Sequence, residues 1–140
     1  MADIVILPAL LVGLVIGAYE ALLLHRDVSV PTHRFGHMIH AFVYAIIAVF
    51  FTMNAGFIYT TFSFLQSVPL LQYPIVFQVG IGVITMIKVH GASAAIRGSV
   101  GGISVGMKET WFHSATIAAL VVVAPYVWPF VSPVMPGWLK

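Results

Sequence analysis

Residues 4–24 read IVILPALLVGLVIGAYEALLL, an apolar run in which Glu20 is the one side chain that carries a charge at neutral pH in water. A helix needs about 20 mostly apolar residues to cross roughly 30 Å of hydrocarbon. The run therefore predicts a transmembrane helix with a carboxyl group inside it. An ionisable group at that depth normally faces other helices and has a partner, so the rest of the chain must supply one.

The composition of the whole chain points to a membrane. Of its 140 residues, 61% are hydrophobic and 7% are charged, and the mean hydropathy is +1.06. A soluble domain of this length cannot bury so much apolar surface. Cysteine is absent, which excludes disulfides and thiolate metal sites. The net charge of +2 is too small and too dispersed for a nucleic-acid partner, so the lipid bilayer is the expected surrounding.

Four apolar stretches predict a single transmembrane domain over residues 1–140, of fold class all-α. The connectors between the first three stretches are short, which forces antiparallel neighbours. The glycine-rich link GSVGGISVG at 98–106 is expected to be a flexible turn. The last helix is expected to be kinked or ended by the four prolines Pro125, Pro129, Pro133 and Pro136. The predicted architecture is an antiparallel bundle of four transmembrane helices, with spans at about 4–25, 33–65, 70–97 and 107–131.

The basic residues predict the orientation of this bundle. Lys140 lies on one face of the membrane and the other five basic residues on the opposite face. By the positive-inside rule the richer face is cytoplasmic, which places both termini on the non-cytoplasmic side. The plasma membrane is the expected location. The five residues on the richer face are Arg26, Arg34, Lys88, Arg97 and Lys108.

All six histidines fall on the predicted cytoplasmic side. The stretch HRFGHMIH at 33–40 holds three of them, and a helix would place those three on one face. Glu20 shares a helix face with Gly13 and Gly17, and this glycine pair allows the second span to approach closely. We therefore expect a polar layer of Glu20, His37, His40 and His113, surrounded by Lys88, Tyr44, Glu109 and Thr116; the remaining histidines are His25, His33 and His90.

This polar layer has several chemical interpretations. Its groups can neutralise one another and fix helix packing, which needs no cofactor. Imidazoles with a carboxylate also suit Zn, Cu or non-haem Fe as metal ligands, although HExxH is absent. His40 and His113 on facing helices suit the axial positions of haem b. Glu and His chains also form proton or ion conduits, but here the other half of the bundle lacks charges.

No motif in the chain predicts catalysis of its own. The stretch GGISVGMKE resembles a phosphate-binding loop, but Met107 separates the second glycine from the lysine. The serines have no recognisable Asp and His arrangement. The sequence therefore predicts a small membrane subunit, homo-oligomeric or part of a larger membrane complex such as a respiratory or oxidase assembly. The alternative is a metal- or haem-binding redox protein using the polar layer, and a conduit is the third hypothesis.

Overall fold

The structure is a computed structural model of the chain, and it describes residues 3–27, 31–95, 98–100, 103–105 and 111–139. These residues are helical apart from short connections and one small hairpin, so the predicted all-α class is confirmed. In chain order the elements are α1 (Leu7–Asp27), α2 (Pro31–Met53), α3 (Ala55–Thr61), α4 (Ser63–Gln66), a 3-10 turn (Pro69–Gln72), α5 (Pro74–Ala95), strands β1 (Gly98–Val100) and β2 (Ile103–Val105), α6 (Trp111–Val131) and two final 3-10 turns (Ser132–Val134 and Gly137–Leu139).

Two of the described helices are long and apolar enough to cross a membrane, as expected for an integral membrane protein. They cover Pro74–Gly91 and Trp111–Val134. A third crossing exists if the bent pair Met38–Met53 and Ala55–Thr61 counts as one span. The apolar part of α1, Leu7–Leu23, is shorter than these.

The predicted second span does not form one continuous helix. Over 33–65 the sequence predicts an unbroken run, but the chain turns by 74° between α2 and α3 at Asn54. The amide of Asn54 bonds backbone groups, donating to the carbonyls of Phe50 at 2.9 Å and Val5 at 3.0 Å. Asparagine side chains compete in this way with helical hydrogen bonds. The prediction of an unbroken helix is therefore wrong at this point.

Two local features concern the last helix and the link before it. The helix α6 contains Pro125 and Pro129 and ends at Val131, where the predicted fourth span also ends. The link, expected to be a flexible turn, contains two short strands that pair antiparallel, with Ser99 opposite Ser104. Because two glycines stand between these strands in the sequence, the link has the composition of a tight hairpin.

Close contact between α1 and α2 organises the core, as the two glycines of α1 predict. A Cβ atom added at Gly13 would lie 2.8 Å from Ile46 Cα, and one at Gly17 would lie 2.9 Å from the Phe42 carbonyl oxygen. The two backbones therefore touch, in antiparallel register. Small side chains continue this packing toward α6. The buried cluster comprises Ile16, Ala45, Ala48, Val49, Val121 and Ala124.

Candidate functional site

The helix packing gathers several ionisable and aromatic side chains at one end of the structure. We call this the histidine end. It is opposite the end at which Asn54 contacts Val5. The side chains that define it are Glu20 of α1, His40 of α2, Lys88 and His90 of α5, and Trp111 and His113 of α6.

Glu20 and His113 form a buried polar pair between α1 and α6. His113 Nε2 lies 2.8 Å from Glu20 Oε2, which is hydrogen-bond distance, and the two residues are 93 positions apart in the chain. The exposed fractions of the side chains are 1% for Glu20 and 7% for His113. One proton lies between these two atoms whichever group carries it. The pair therefore joins the first and last long helices of the described chain.

The second carboxyl oxygen of Glu20 has no comparable hydrogen bond among the described residues. Glu20 Oε1 is buried and has no hydrogen-bond partner among the described residues. Buried polar oxygens are normally paired, because desolvation without a hydrogen bond costs free energy. This oxygen is therefore the chemically unusual atom of the pair.

The other predicted members of the polar layer do not complete a cluster with this pair in the described part of the chain. His40 is exposed. The side chain of His37 and the whole of Glu109 lie outside the described residues. Among the residues that are described, no three His, Cys, Asp or Glu side chains are arranged to hold a metal ion.

The predicted surrounding residues make contacts of different kinds. Lys88 Nζ lies 5.8 Å from the ring centroid of Tyr44, which joins α5 to α2 by a cation–π contact. Thr116 donates its hydroxyl to the Phe112 carbonyl of its own helix at 2.8 Å. The Thr116 hydroxyl thus has its hydrogen bond within α6, whereas Lys88 and Tyr44 connect α5 with α2.

A stacked pair of rings joins α5 and α6 at the same end. The rings of His90 and Trp111 are nearly parallel, with centroids 3.7 Å apart and an interplanar angle of 13°. His90 Nδ1 is buried and has no hydrogen-bond partner within the described chain. Neither residue was predicted to have a role in the polar layer. Nothing in the sequence pattern indicates the stack.

A second polar group, which we call the Thr52 junction, joins α2, α5 and α6. The Thr52 hydroxyl donates to the Val121 carbonyl at 2.9 Å, and the Gln78 amide donates to the Thr52 carbonyl at 3.0 Å. The Tyr126 hydroxyl then donates to Gln78 Oε1 at 2.6 Å. The Thr52 junction is defined by Thr52, Gln78, Val121 and Tyr126.

The Thr52 junction satisfies two backbone carbonyls that helix irregularities leave without donors. Pro125 has no N–H, so Val121 loses the donor that a residue four positions later normally supplies. The carbonyl of Thr52 lies in the last turn of α2, where intrahelical donors run out. Neither Thr52 nor Gln78 was predicted to belong to a site. The signal in the sequence was Pro125, four residues after Val121, because it leaves the Val121 carbonyl in need of another donor.

A third contact fastens the residues before α1 to the break after α2. The backbone N–H of Val5 donates to Asn54 Oδ1 at 2.6 Å, and the Asn54 amide donates back to the Val5 carbonyl at 3.0 Å. One side chain therefore pairs with both backbone groups of one residue. Because only the backbone of Val5 takes part, this pairing does not depend on which side chain stands at position 5.

Most of the buried polar side chains among the described residues thus contact a distant element of the chain. The Glu20 and His113 pair, the Thr52 junction and Asn54 each link elements that are distant in sequence. Their chemistry can fix helix register, and the unpartnered Glu20 oxygen can accept a further hydrogen bond or a cation. Compared with known proteins, the chain matches no family model, and it has no significant match among curated proteins or solved structures.

Proposed function

We propose that the chain is a small multi-pass membrane subunit with a structural, organising role in a homo-oligomer or a larger membrane complex, for example a respiratory or oxidase assembly. The contact between Glu20 and His113 carries this proposal. These are the two most deeply buried ionisable groups described, and they contact each other at 2.8 Å. A hydrogen bond of this kind fixes helix register where lipid supplies no hydrophobic force between helices.

The proposal includes a topology of four spans with both termini on the non-cytoplasmic side of the plasma membrane. The antiparallel contacts of α1 with α2 support it, as do those of α5 with α6. The apolar part of α1, Leu7–Leu23, measures about 26 Å at 1.5 Å per residue. The apolar residues 4–6 that precede it extend this length toward the hydrocarbon thickness.

The free space beside Gly80 on α5 supports association with another helix. A Cβ atom at Gly82 would meet Val122 within the chain, whereas one at Gly80 would meet no atom within 4 Å. Gly80 therefore leaves a gap in the outer surface of α5. Small residues on an outward surface let a neighbouring transmembrane helix approach closely.

The subunit role is tested by the mass of the purified protein in mild detergent. We expect native mass spectrometry to give a multiple of the 15.2 kDa chain, or a complex with other membrane chains. Gly80→Leu fills the gap on α5 and should shift the mass toward the monomer. Ala18→Leu is the matched control, because it adds the same side chain at an exposed small residue of α1. A wild-type monomer with no co-purifying chain would contradict the proposal.

The unpartnered oxygen of Glu20 favours a second candidate function, a membrane metal or haem protein using Glu20, His37, His40 and His113. A carboxylate oxygen buried without a hydrogen bond is a suitable ligand for Zn, Cu or Fe. Elemental analysis and an absorption spectrum of the purified protein separate the two functions. Stoichiometric metal, or a haem absorption band, that is lost in both Glu20→Gln and His113→Ala would favour the second candidate.

A further inference from the structure

Lys88 lies within a candidate membrane span and has no carboxylate partner among the described residues. It belongs to the span Pro74–Gly91, three residues before its end, and its side chain is exposed. The ion pair found in the described chain joins Glu20 and His113, and Lys88 takes no part in it. A lysine this close to the end of a span can extend its ammonium group to the headgroup region of the membrane. The ammonium of Lys88 is therefore placed to meet an anionic group at the membrane interface.

The neighbours of Lys88 supply further hydrogen-bond donors at the same place. Its ammonium lies over the ring of Tyr44, at the outer surface between α5 and α2. His40 precedes Tyr44 by four residues, so the two share a face of α2, and His40 is exposed. An ammonium, a phenol and an imidazole at one place form a donor set suited to a phosphate oxygen.

Exposed apolar side chains continue from this donor set along the same two helix faces. Ile47 follows Tyr44 by three residues, and Phe51 follows Ile47 by four, so both extend its face of α2. Ile84 precedes Lys88 by four residues on α5. All three side chains are exposed, at 48%, 38% and 56%. The surface is thus polar at the histidine end and apolar deeper in the span, which matches a molecule with a phosphate head and an acyl chain.

We propose that the surface between α2 and α5 binds an anionic phospholipid, with its phosphate at His40, Tyr44 and Lys88 and its acyl chain on Ile47, Phe51 and Ile84. The sequence places five of its six basic residues toward this end, which favours a lipid of net negative charge over a zwitterionic one. The apolar continuation favours a lipid over free phosphate. This inference requires only that the chain lies in a membrane, so it does not depend on the subunit role.

The test measures lipid retained by the purified protein with native mass spectrometry. Wild-type protein is incubated in mild detergent with phosphatidylglycerol, phosphatidylcholine or inorganic phosphate. We expect it to retain phosphatidylglycerol in preference to phosphatidylcholine, and Lys88→Gln to retain about fivefold less, since one basic residue near an anionic surface contributes about 1 kcal/mol. Lys88→Arg should retain the lipid as wild type does. Lys140→Gln, which removes the same charge at the last residue, is the matched control.

Each other outcome overturns the inference. Equal retention of phosphatidylglycerol by Lys88→Gln and wild type means that Lys88 does not bind the headgroup. Equal retention of phosphatidylcholine means that the negative charge is not recognised, and competition by inorganic phosphate at equal concentration means a free-anion site. If Lys88→Gln fails to fold, His40→Ala replaces it, because His40 is exposed and its removal should still weaken retention.

Discussion

At the residue scale, Glu20 is the side chain whose burial is hardest to reconcile with an apolar surrounding. Its exposed fraction is 1%, and one of its two oxygens depends on His113 for a hydrogen bond. A buried ionisable group left without its partner keeps the full cost of desolvation. The stability of the helix packing should therefore respond strongly to the loss of this one imidazole.

We expect His113→Ala to lower the free energy of unfolding by about 3 kcal/mol, because Glu20 would then be buried with neither oxygen bonded. Unfolding in mixed detergent micelles with increasing denaturing detergent measures this change. In the double variant Glu20→Ala, His113→Ala, the loss should be smaller than the sum of the single losses by at least ~1 kcal/mol, since the two side chains contact each other.

The control for this prediction is His40→Ala. His40 is exposed and should change the free energy of unfolding by less than ~0.5 kcal/mol. Strictly additive losses for Glu20 and His113 would show that the 2.8 Å contact does not contribute to folding.

The need of Glu20 for a partner was predictable from the sequence, and His113 was one of the three histidines predicted to share its polar layer, but the sequence did not single out His113 among them. Hydropathy alone indicates that an acidic group inside a span requires one. The short connector after α1 pointed to His37 and His40 of the second span as the nearest candidates. The observed partner lies 93 positions away, on α6. Which helix face meets which neighbour depends on long-range packing, and connector length does not determine it.

At the element scale, a side chain near the end of α2 compensates for a proline inside α6. Pro125 removes the donor for the Val121 carbonyl, and the Thr52 hydroxyl replaces it from α2. Backbone groups freed by proline in a membrane helix must be satisfied from within the protein. The Thr52 hydroxyl therefore stabilises α6 only because Pro125 is present.

This dependence predicts a non-additive pair of variants. Thr52→Val keeps the shape of the side chain and removes the hydroxyl, so we expect a loss of about 1 kcal/mol in the free energy of unfolding. In a Pro125→Ala background, residue 125 can donate to the Val121 carbonyl, and the same change should have almost no effect. Thr60→Val is the control, since Thr60 bonds only carbonyls of its own helix. Equal losses in both backgrounds would contradict the coupling.

A second element-scale prediction compares Gly13 of α1 with Gly80 of α5. Gly13→Ala places a methyl group 2.8 Å from Ile46 Cα, so α1 and α2 must separate. We expect a loss of about 1–3 kcal/mol in the free energy of unfolding, as for other overpacked sites. Gly80→Ala meets no atom within 4 Å and should leave stability unchanged or raise it slightly. Equal effects of the two substitutions would show that α1 and α2 do not touch at Gly13.

Helix positions were easier to predict than helix continuity. Apolar runs located α1, α5 and α6, because membrane helices need length and hydropathy before any specific contact. The glycine pair of α1 correctly indicated its close contact with α2. The break at Asn54 was missed because one polar residue inside an apolar run barely changes hydropathy. Its effect arises from the backbone of Val5, which is distant in sequence.

At the scale of the whole molecule, the described side chains divide into a small core and a large apolar outer surface. The buried apolar residues are mostly small or β-branched, whereas Phe112, Phe130 and Val134 are more than four-fifths exposed. In water such a surface would drive aggregation. In a bilayer it meets lipid at little cost, and polar contacts between helices become the source of specificity. The division therefore fits a chain whose fold depends on the membrane around it.

The proposed four-span topology makes a prediction that this chain is well suited to test, since it contains no cysteine. A cysteine introduced at Ser67, before α5, or at Ser132, after α6, should lie on the non-cytoplasmic side. One introduced at Ser99, in β1, should lie on the cytoplasmic side. A membrane-impermeant maleimide should therefore label Ser67→Cys and Ser132→Cys in intact cells, and Ser99→Cys only after permeabilisation.

An even number of membrane crossings between residues 67 and 132 requires Ser67→Cys and Ser132→Cys to be labelled alike. Labelling of Ser99→Cys in intact cells while the other two stay protected would reverse the orientation, and opposite behaviour of Ser67→Cys and Ser132→Cys would mean that α5 and α6 do not both cross the membrane.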